Sequence, residues 1–300
     1  MLIVSFVREK NTLLVLCQVS KTFRGICMPL LYNVVHIRPP WRPWHSSKTQ
    51  TQLYQTLQTR SIAHGVTDLC VELDKMLLCE LWDVQKKRPQ FLRRCVCDGH
   101  DRALGEAILS LTSLQALAII CRLCYKSHSH TYLFKLDSPT LRKFTFYCHG
   151  STVLFKNRGR NVNSLLLAPF MSRITALQLD CEEDPPLALN SVPYEQLLQG
   201  TDNLSNLCTL SHNGSALCDL ILSRRRVQRL SLVGWYSEGH KAAIRKGPGR
   251  LTHLFGRDVL HWLLREIALD IGPYRQLRYI GTVKGIDPVG TVQSLNHKLH

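Results

Sequence analysis

The stretch 111-LTSLQALAII-120 carries the pattern that decides the fold. Leu114, Leu117 and Ile119 read as apolar, two variable, apolar, one variable, apolar. In a strand, successive side chains point to opposite faces, so this short run gives one face to a core and leaves the intervening residues on the other. The same pattern recurs along the chain as Val66, Leu69, Val71; Leu92, Cys95, Cys97; Leu141, Phe144, Phe146; and Ile174, Leu177, Leu179. It continues as Leu207, Leu210, His212; Val227, Leu230, Leu232; Leu251, Leu254, Gly256; and Leu277, Ile280, Thr282. Tyr32, Val35 and Ile37 fit as a first member.

Starts from Val66 onward lie 26, 22, 27, 33, 33, 20, 24 and 26 residues apart. That is within or near the roughly 20–29 residues of leucine-rich repeats. Between the strand signals lie helix-like stretches at 74–87, 103–111, 162–171, 194–198, 216–222 and 259–269, several with apolar residues on one face. Strand and helix alternating at this period predict an α/β repeat: a right-handed solenoid with a curved parallel sheet. One unit is too small to bury its apolar face, so neighbours must stack. Three consecutive units carry Cys121, Cys148 and Cys181 two residues after the third apolar position, where an asparagine is expected. Cysteine is small and tolerates burial, so these predict a ladder inside the turn.

The repeat also predicts where a partner binds. The intervening residues of the strands, Asp68, Glu72, Arg94, Asp98, Lys143, Tyr147, Gln178, Asp180, Asn213, Arg229 and Tyr279, are expected on the open, concave sheet face. Their mixed charge and two tyrosines suit a protein partner better than a nucleic-acid groove, which would be uniformly basic.

Ahead of the repeats, residues 13–38 read LLVLCQVSKTFRGICMPLLYNVVHIR. Leu13, Leu16, Val19, Phe23 and Ile26 fall at three- and four-residue spacing, as on one helix face. Gly25 and Pro29 are expected to punctuate the end of that helix, and Val34 to Ile37 to form a strand closed by Pro39 and Pro40. The segment Leu13-Leu14-x-Leu16-Cys17-x-Val19-Ser20-Lys21-x-Phe23-Arg24, followed by Pro29-Leu30-Leu31-Tyr32, resembles the F-box, the helical module of substrate receptors in cullin-RING ubiquitin ligases. It looks most like fungal F-box proteins, in which this module runs straight into leucine-rich repeats. The family's opening Leu-Pro-x-Glu helix has no counterpart in Met1 to Val7, so the module is expected to be incomplete at its N-terminus.

The resemblance implies a non-catalytic receptor that docks on the ligase's adaptor through Leu13, Leu14, Leu16, Val19, Phe23, Pro29 and Leu30 and holds a protein substrate on the solenoid. It implies no cofactor. The expected organisation is then a module over 1–38, a Pro- and Trp-rich linker over 39–50, repeats over 51–284 and a tail over 285–300.

Composition agrees with a cytoplasmic or nuclear protein. The chain has 45% hydrophobic residues and no apolar run near the roughly 18 residues of a membrane span. Its N-terminus lacks the basic segment of a secretory signal. Twelve scattered cysteines in 300 residues fit reduced thiols better than a disulfide scaffold. No G-x-S-x-G, H-E-x-x-H or Walker loop is present, so no enzyme class is indicated. Cys121, Cys124, His128 and His130 have zinc-like content but lack the wider gap between ligand pairs that structural zinc sites use, so no metal is expected. Gly247-Pro248-Gly249 is read as a turn.

The net charge is +16, with basic runs at 86–88, 156–160, 224–226 and 245–250, each at an expected helix end or loop. Helix dipoles explain basic residues near C-termini without a ligand. If the runs align on one edge, the rival reading is a repeat scaffold that holds an acidic protein or nucleic acid.

Overall fold

The computed structural model describes residues 9–37, 46–74, 96–122, 131–149, 166, 168–181, 202–212, 216–232, 238–256 and 259–281. It opens with a helical pair, α1 (Lys10–Val19) and α2 (Lys21–Leu31). The break lies at Ser20, not at Gly25 or Pro29 as expected. Ser20 is extended (φ −158°, ψ 161°), and its Oγ accepts the Phe23 N–H at 3.1 Å, capping α2. A serine at this position satisfies one of the N–H groups that the first helical turn leaves without a partner. Pro29 sits in the last turn of α2, where only one helical N–H is lost.

Nine strands follow: β1 (Val34–Ile37), β2 (Asp68–Asp74), β3 (Ala116–Arg122), β4 (Lys143–His149), β5 (Ala176–Cys181), β6 (Thr209–His212), β7 (Arg229–Leu232), β8 (His253–Gly256) and β9 (Tyr279–Gly281). They form one sheet in sequence order, and every neighbouring pair is parallel. Each crossover must therefore return the chain to the edge where the last strand began. Helices α3 (Ser46–Gln58), α4 (Arg60–Ala63), α5 (Val96–Ser110), α6 (Ala216–Arg224), α7 (Glu238–Lys246) and α8 (Val259–Leu269) do part of this work. Short 3-10 turns at Thr131–Lys135, Pro169–Arg173 and Gly272–Tyr274 do the rest among the described residues.

One hydrogen-bond device repeats at each junction. The carbonyl of the residue just before a strand accepts two successive N–H groups from the next unit. Asn33 O accepts from Thr67 and Asp68, and Thr67 O from Gln115 and Ala116. Gln115, Arg142, Thr175, Cys208, Gln228 and Thr252 continue the series, all at 2.7–3.2 Å. Identical bonding at every step is the physical content of the repeat.

The core positions expected of the strands are observed up to β8; in the last strand, β9, Ile280 is 47% exposed where a core residue is expected. Leu69, Val71, Leu117, Ile119, Phe144, Phe146, Leu177, Leu179, Leu210, Leu230, Leu232 and Leu254 are buried in one continuous core with residues of the helices. Each such side chain contributes about 1.5–3 kcal/mol by leaving water. Phe170, in the 3-10 turn, meets Phe144 edge-on at 5.1 Å.

Three expectations are corrected. Of the unit at Leu92, Cys95 and Cys97, the first two lie outside the described residues, while Cys97 lies in α5 and β2 pairs directly with β3. Leu104, Ala107, Ile108 and Leu111 bury a helical face there, so helical periodicity governs that segment down to Val96. The helix expected over 162–171 is not formed at its described end. Ala168 is extended (φ −65°, ψ 141°) because Pro169 follows it, and a 3-10 turn starts at Pro169. The linker expected over 39–50 gives way at Ser46 to α3, whose Tyr54 and Leu57 are buried. The helices expected at 216–222 and 259–269 are present as α6 and α8. Most of 74–87, all of 194–198, and the tail lie outside the described residues.

The three cysteines do stand in one row, Cys121 in register with Cys148 and Cys148 with Cys181, but they lie in β3, β4 and β5 and not in the turn as expected. Among the described residues no helix is long and apolar enough to cross a membrane.

Candidate functional site

Two surfaces merit attention: the helical pair and the sheet face turned away from the core. In the pair, Leu13, Cys17 and Cys27 form a small core of their own, with Leu16, Ile26, Met28 and Leu31 packed against it. Arg24 Nε donates to Cys17 O at 3.3 Å, tying α2 to α1. Burial, and then the neighbouring Cys17, push the Cys27 thiol up, which disfavours its reactive thiolate form.

Of the residues expected to dock an adaptor, Leu13 is turned inward with 3% exposure. That position is therefore corrected from contact residue to core residue. Leu16 is half-buried. Pro29 packs against the loop before β2: a Cβ on Gly65 would meet Pro29 Cα at 2.7 Å, so a glycine is needed for that close approach. Leu14, Val19, Phe23 and Leu30 are exposed, and Val15 joins them. Val15 and Val19 share a face of α1 by four-residue spacing, and Phe23 and Leu30 a face of α2 by seven-residue spacing. Val19 is 64% exposed, although sequence periodicity alone places it with Leu13 and Leu16. All three lie in α1, and at 3.6 residues per turn Val19 falls about 200° around the helix from the buried Cys17, which turns it outward.

On the sheet, register assembles rows. Asp68, Ala116, Lys143, Ala176, Thr209, Arg229, His253 and Tyr279 form one row from β2 to β9. Glu72, Ile120, Tyr147 and Asp180 form another. The expected partner residues Asp68, Glu72, Lys143, Tyr147, Gln178, Asp180, Arg229 and Tyr279 thus lie in the strands at positions of one face. They do not converge: Asp68 and Tyr279 are seven strand spacings apart, about 33 Å. Asp98 is corrected, because it belongs to α5 and to no strand. Arg94 and Asn213 lie outside the described residues.

This face is not uniformly solvated. Cys70, Ala118 and Ile120 are buried in a separate apolar cluster against which Tyr147 packs. Glu72 Oε1 lies 2.7 Å from His36 Nε2 beside it. Gln178, also buried, has an amide nitrogen with no hydrogen-bond acceptor among the described residues. At the far end, His253 stacks on Tyr279 with ring centroids 4.4 Å apart and planes 20° from parallel. Burial, then Arg229 and Arg278, hold the His253 imidazole below its ordinary value, so it is neutral at physiological pH. His36, Ile120 and His253 escaped sequence reading, although each occupies an intervening strand position that the repeat pattern itself marks.

Inside the repeats, two polar groups sit in the core. His212 replaces the third apolar residue of its unit, and burial, helped by His240, lowers its pKa to about 3. His240 Nδ1 lies 3.4 Å from Asp219 Oδ1. Glu266, also buried, takes Arg245 as a close ion-pair partner, with Lys241 Nζ 3.9 Å from its other oxygen. Among the described residues no group of three or more His, Cys, Asp or Glu side chains could hold a metal ion. Of the zinc-like set, Cys124, His128 and His130 lie outside those residues.

A scan against protein-family models finds no match for this chain, and a search of curated proteins finds none. What the fold defines is the class: an α/β protein with a single nine-stranded, all-parallel sheet, consistent with a repeat α/β fold and preceded by a helical pair.

Proposed function

We propose that this chain is a non-catalytic substrate-recognition subunit of a cullin-RING ubiquitin ligase, built as an F-box-like helical pair followed by a leucine-rich-repeat solenoid. The observation that carries the reading is the apolar surface of the pair. Leu14, Val15, Val19, Phe23 and Leu30 are exposed although Leu13, Cys17 and Cys27 already give the two helices a core. Large apolar side chains clustered outside a satisfied core mark interaction surfaces. Docking there would place a substrate held by the sheet face near the transfer machinery, so the receptor contributes proximity while other subunits perform the chemistry.

The test is a pull-down of the purified chain with the ligase adaptor, beside a Val19→Asp, Phe23→Asp double variant. Both positions are exposed, so the variant should keep the parent's circular dichroism. Capture of the parent and loss in the variant supports the reading. A folded parent that the adaptor ignores sinks it.

A further inference from the structure

The loops that enter β7, β8 and β9 are all described, and parallel topology brings them to one edge of the sheet. Arg226 precedes β7, Lys246 and Arg250 precede β8, and Arg275 and Arg278 precede β9; all five are exposed. Arg229 opens β7 itself. Among the described residues none of these six forms an ion pair with a carboxylate. Of the described carboxylates nearby, Glu266 is paired with Arg245, Asp270 accepts the Gly272 N–H at 2.8 Å, and Asp202 acts on Arg225. The runs at 224–226 and 245–250, separate in sequence, therefore meet on one edge with Arg275 and Arg278.

The first residues of these strands add a second feature at the same corner. Arg229, His253 and Tyr279 are successive register partners. His253 and Tyr279 stack, Tyr279 is 58% exposed, and the Phe255 ring lies 6.3 Å from His253. A Cβ on Gly281 would meet Phe255 Cδ1 at 2.6 Å, so this ring covers the glycine backbone of β9. The result is an aromatic platform bordered by cations.

We infer that the corner formed by the starts of β7, β8 and β9 binds single-stranded nucleic acid, with a base stacked on the Tyr279–His253 pair and phosphates held by Arg229, Arg278 and the loop cations. Charge complementarity points to a polyanion, since the chain carries +16 overall and this edge concentrates cations. The platform selects among polyanions. Stacked rings offer π-faces to bases, which all have them, while an acidic peptide would use only the cations. A neutral His253 adds a stacking surface rather than a further charge for carboxylates. A duplex hides its base faces and cannot use the platform. This inference is independent of the helical pair and of adaptor docking. It adds a partner class to the protein partner expected from the sheet face.

The experiment is fluorescence anisotropy of the full chain with a labelled 12-nucleotide single strand. The same strand in duplex form and a labelled polyglutamate peptide serve as competitors, over a salt series. Single strand is expected to bind in preference to both. Tyr279→Ala should weaken single-strand binding about 5- to 150-fold, the range for loss of one base–aromatic stack. Arg229→Ala with Arg278→Ala should lower the salt slope by about 1.4, as two phosphate contacts are lost. All three substitutions are at least partly exposed, and matched thermal melts check the fold. Equal binding of polyglutamate would overturn the inference in favour of an acidic protein segment. Equal duplex binding, or an unchanged affinity in Tyr279→Ala, would overturn it by removing the platform's role.

Discussion

His212 gives the most quantitative expectation. It is buried at the third apolar position of its repeat, and its register partners on both sides are Leu179 and Leu232. Burial, then His240, lowers its pKa from 6.5 to about 3. The native state therefore takes up a proton less readily than the unfolded chain. A base depressed in this way contributes its stability fully above pH 6.5 and loses it as pH falls from 6.5 towards 3. The whole window is worth about 5 kcal/mol at 1.36 kcal/mol per pH unit, and by pH 5 about 2 kcal/mol should be gone. Urea unfolding of the parent and a His212→Leu variant at pH 7.5 and pH 5 measures this. Other acid-titrating groups are common to both proteins and cancel in the difference. The drop between the two pH values should be smaller in the variant by about 2 kcal/mol, whatever the variant does at pH 7.5. Equal drops in both proteins would refute the reasoning.

Two further substitutions test the packing that presents the basic edge. Gly247 ends α7, and a Cβ there would lie 2.2 Å from Leu222 O, a backbone atom that cannot swing away; Gly247→Ala should cost about 2 kcal/mol or more and lower the thermal midpoint by several degrees. Glu266→Gln removes a buried carboxylate from Arg245, but Arg245 is itself partly exposed and regains water. The expected loss is about 1–3 kcal/mol by urea unfolding at pH 7, less than for a fully buried pair.

Much of this fold is legible in the chain. Eight of the nine expected repeat units after the first strand proved to be strands, because a pattern of two alternating core positions and a preceding anchor is local and needs only side-chain parity. The unit at Leu92, Cys95 and Cys97 failed because spacing alone does not separate a short strand from a helix start. The helix that buries Leu104, Ala107 and Ile108 starts at Val96 and takes in Cys97. α3 and α7 went unseen for a related reason: their exposed faces are so polar that Tyr54 and Leu57, or Ala243 and Ile244, barely register as a stripe.

The candidate surfaces were less legible than the core. Sequence spacing places Leu13 with Val19 on one helix face, yet the buried face of α1 centres on Leu13 and Cys17, and Val19, about 200° around the helix from Cys17, is exposed. Likewise, which side chains share the outer sheet face follows from strand parity, but which of them are neighbours does not.

By itself, then, the sequence determined the repeat, the parity of each strand, the basic charge and the apolar helices at the start. Only the tertiary structure decided that Arg229, His253 and Tyr279 stand side by side and that the basic loops meet at one edge. Parity is set by adjacent residues. A row across the sheet depends on the register between strands 20 or more residues apart, fixed by the lengths of the crossovers and by the paired N–H groups at each junction carbonyl.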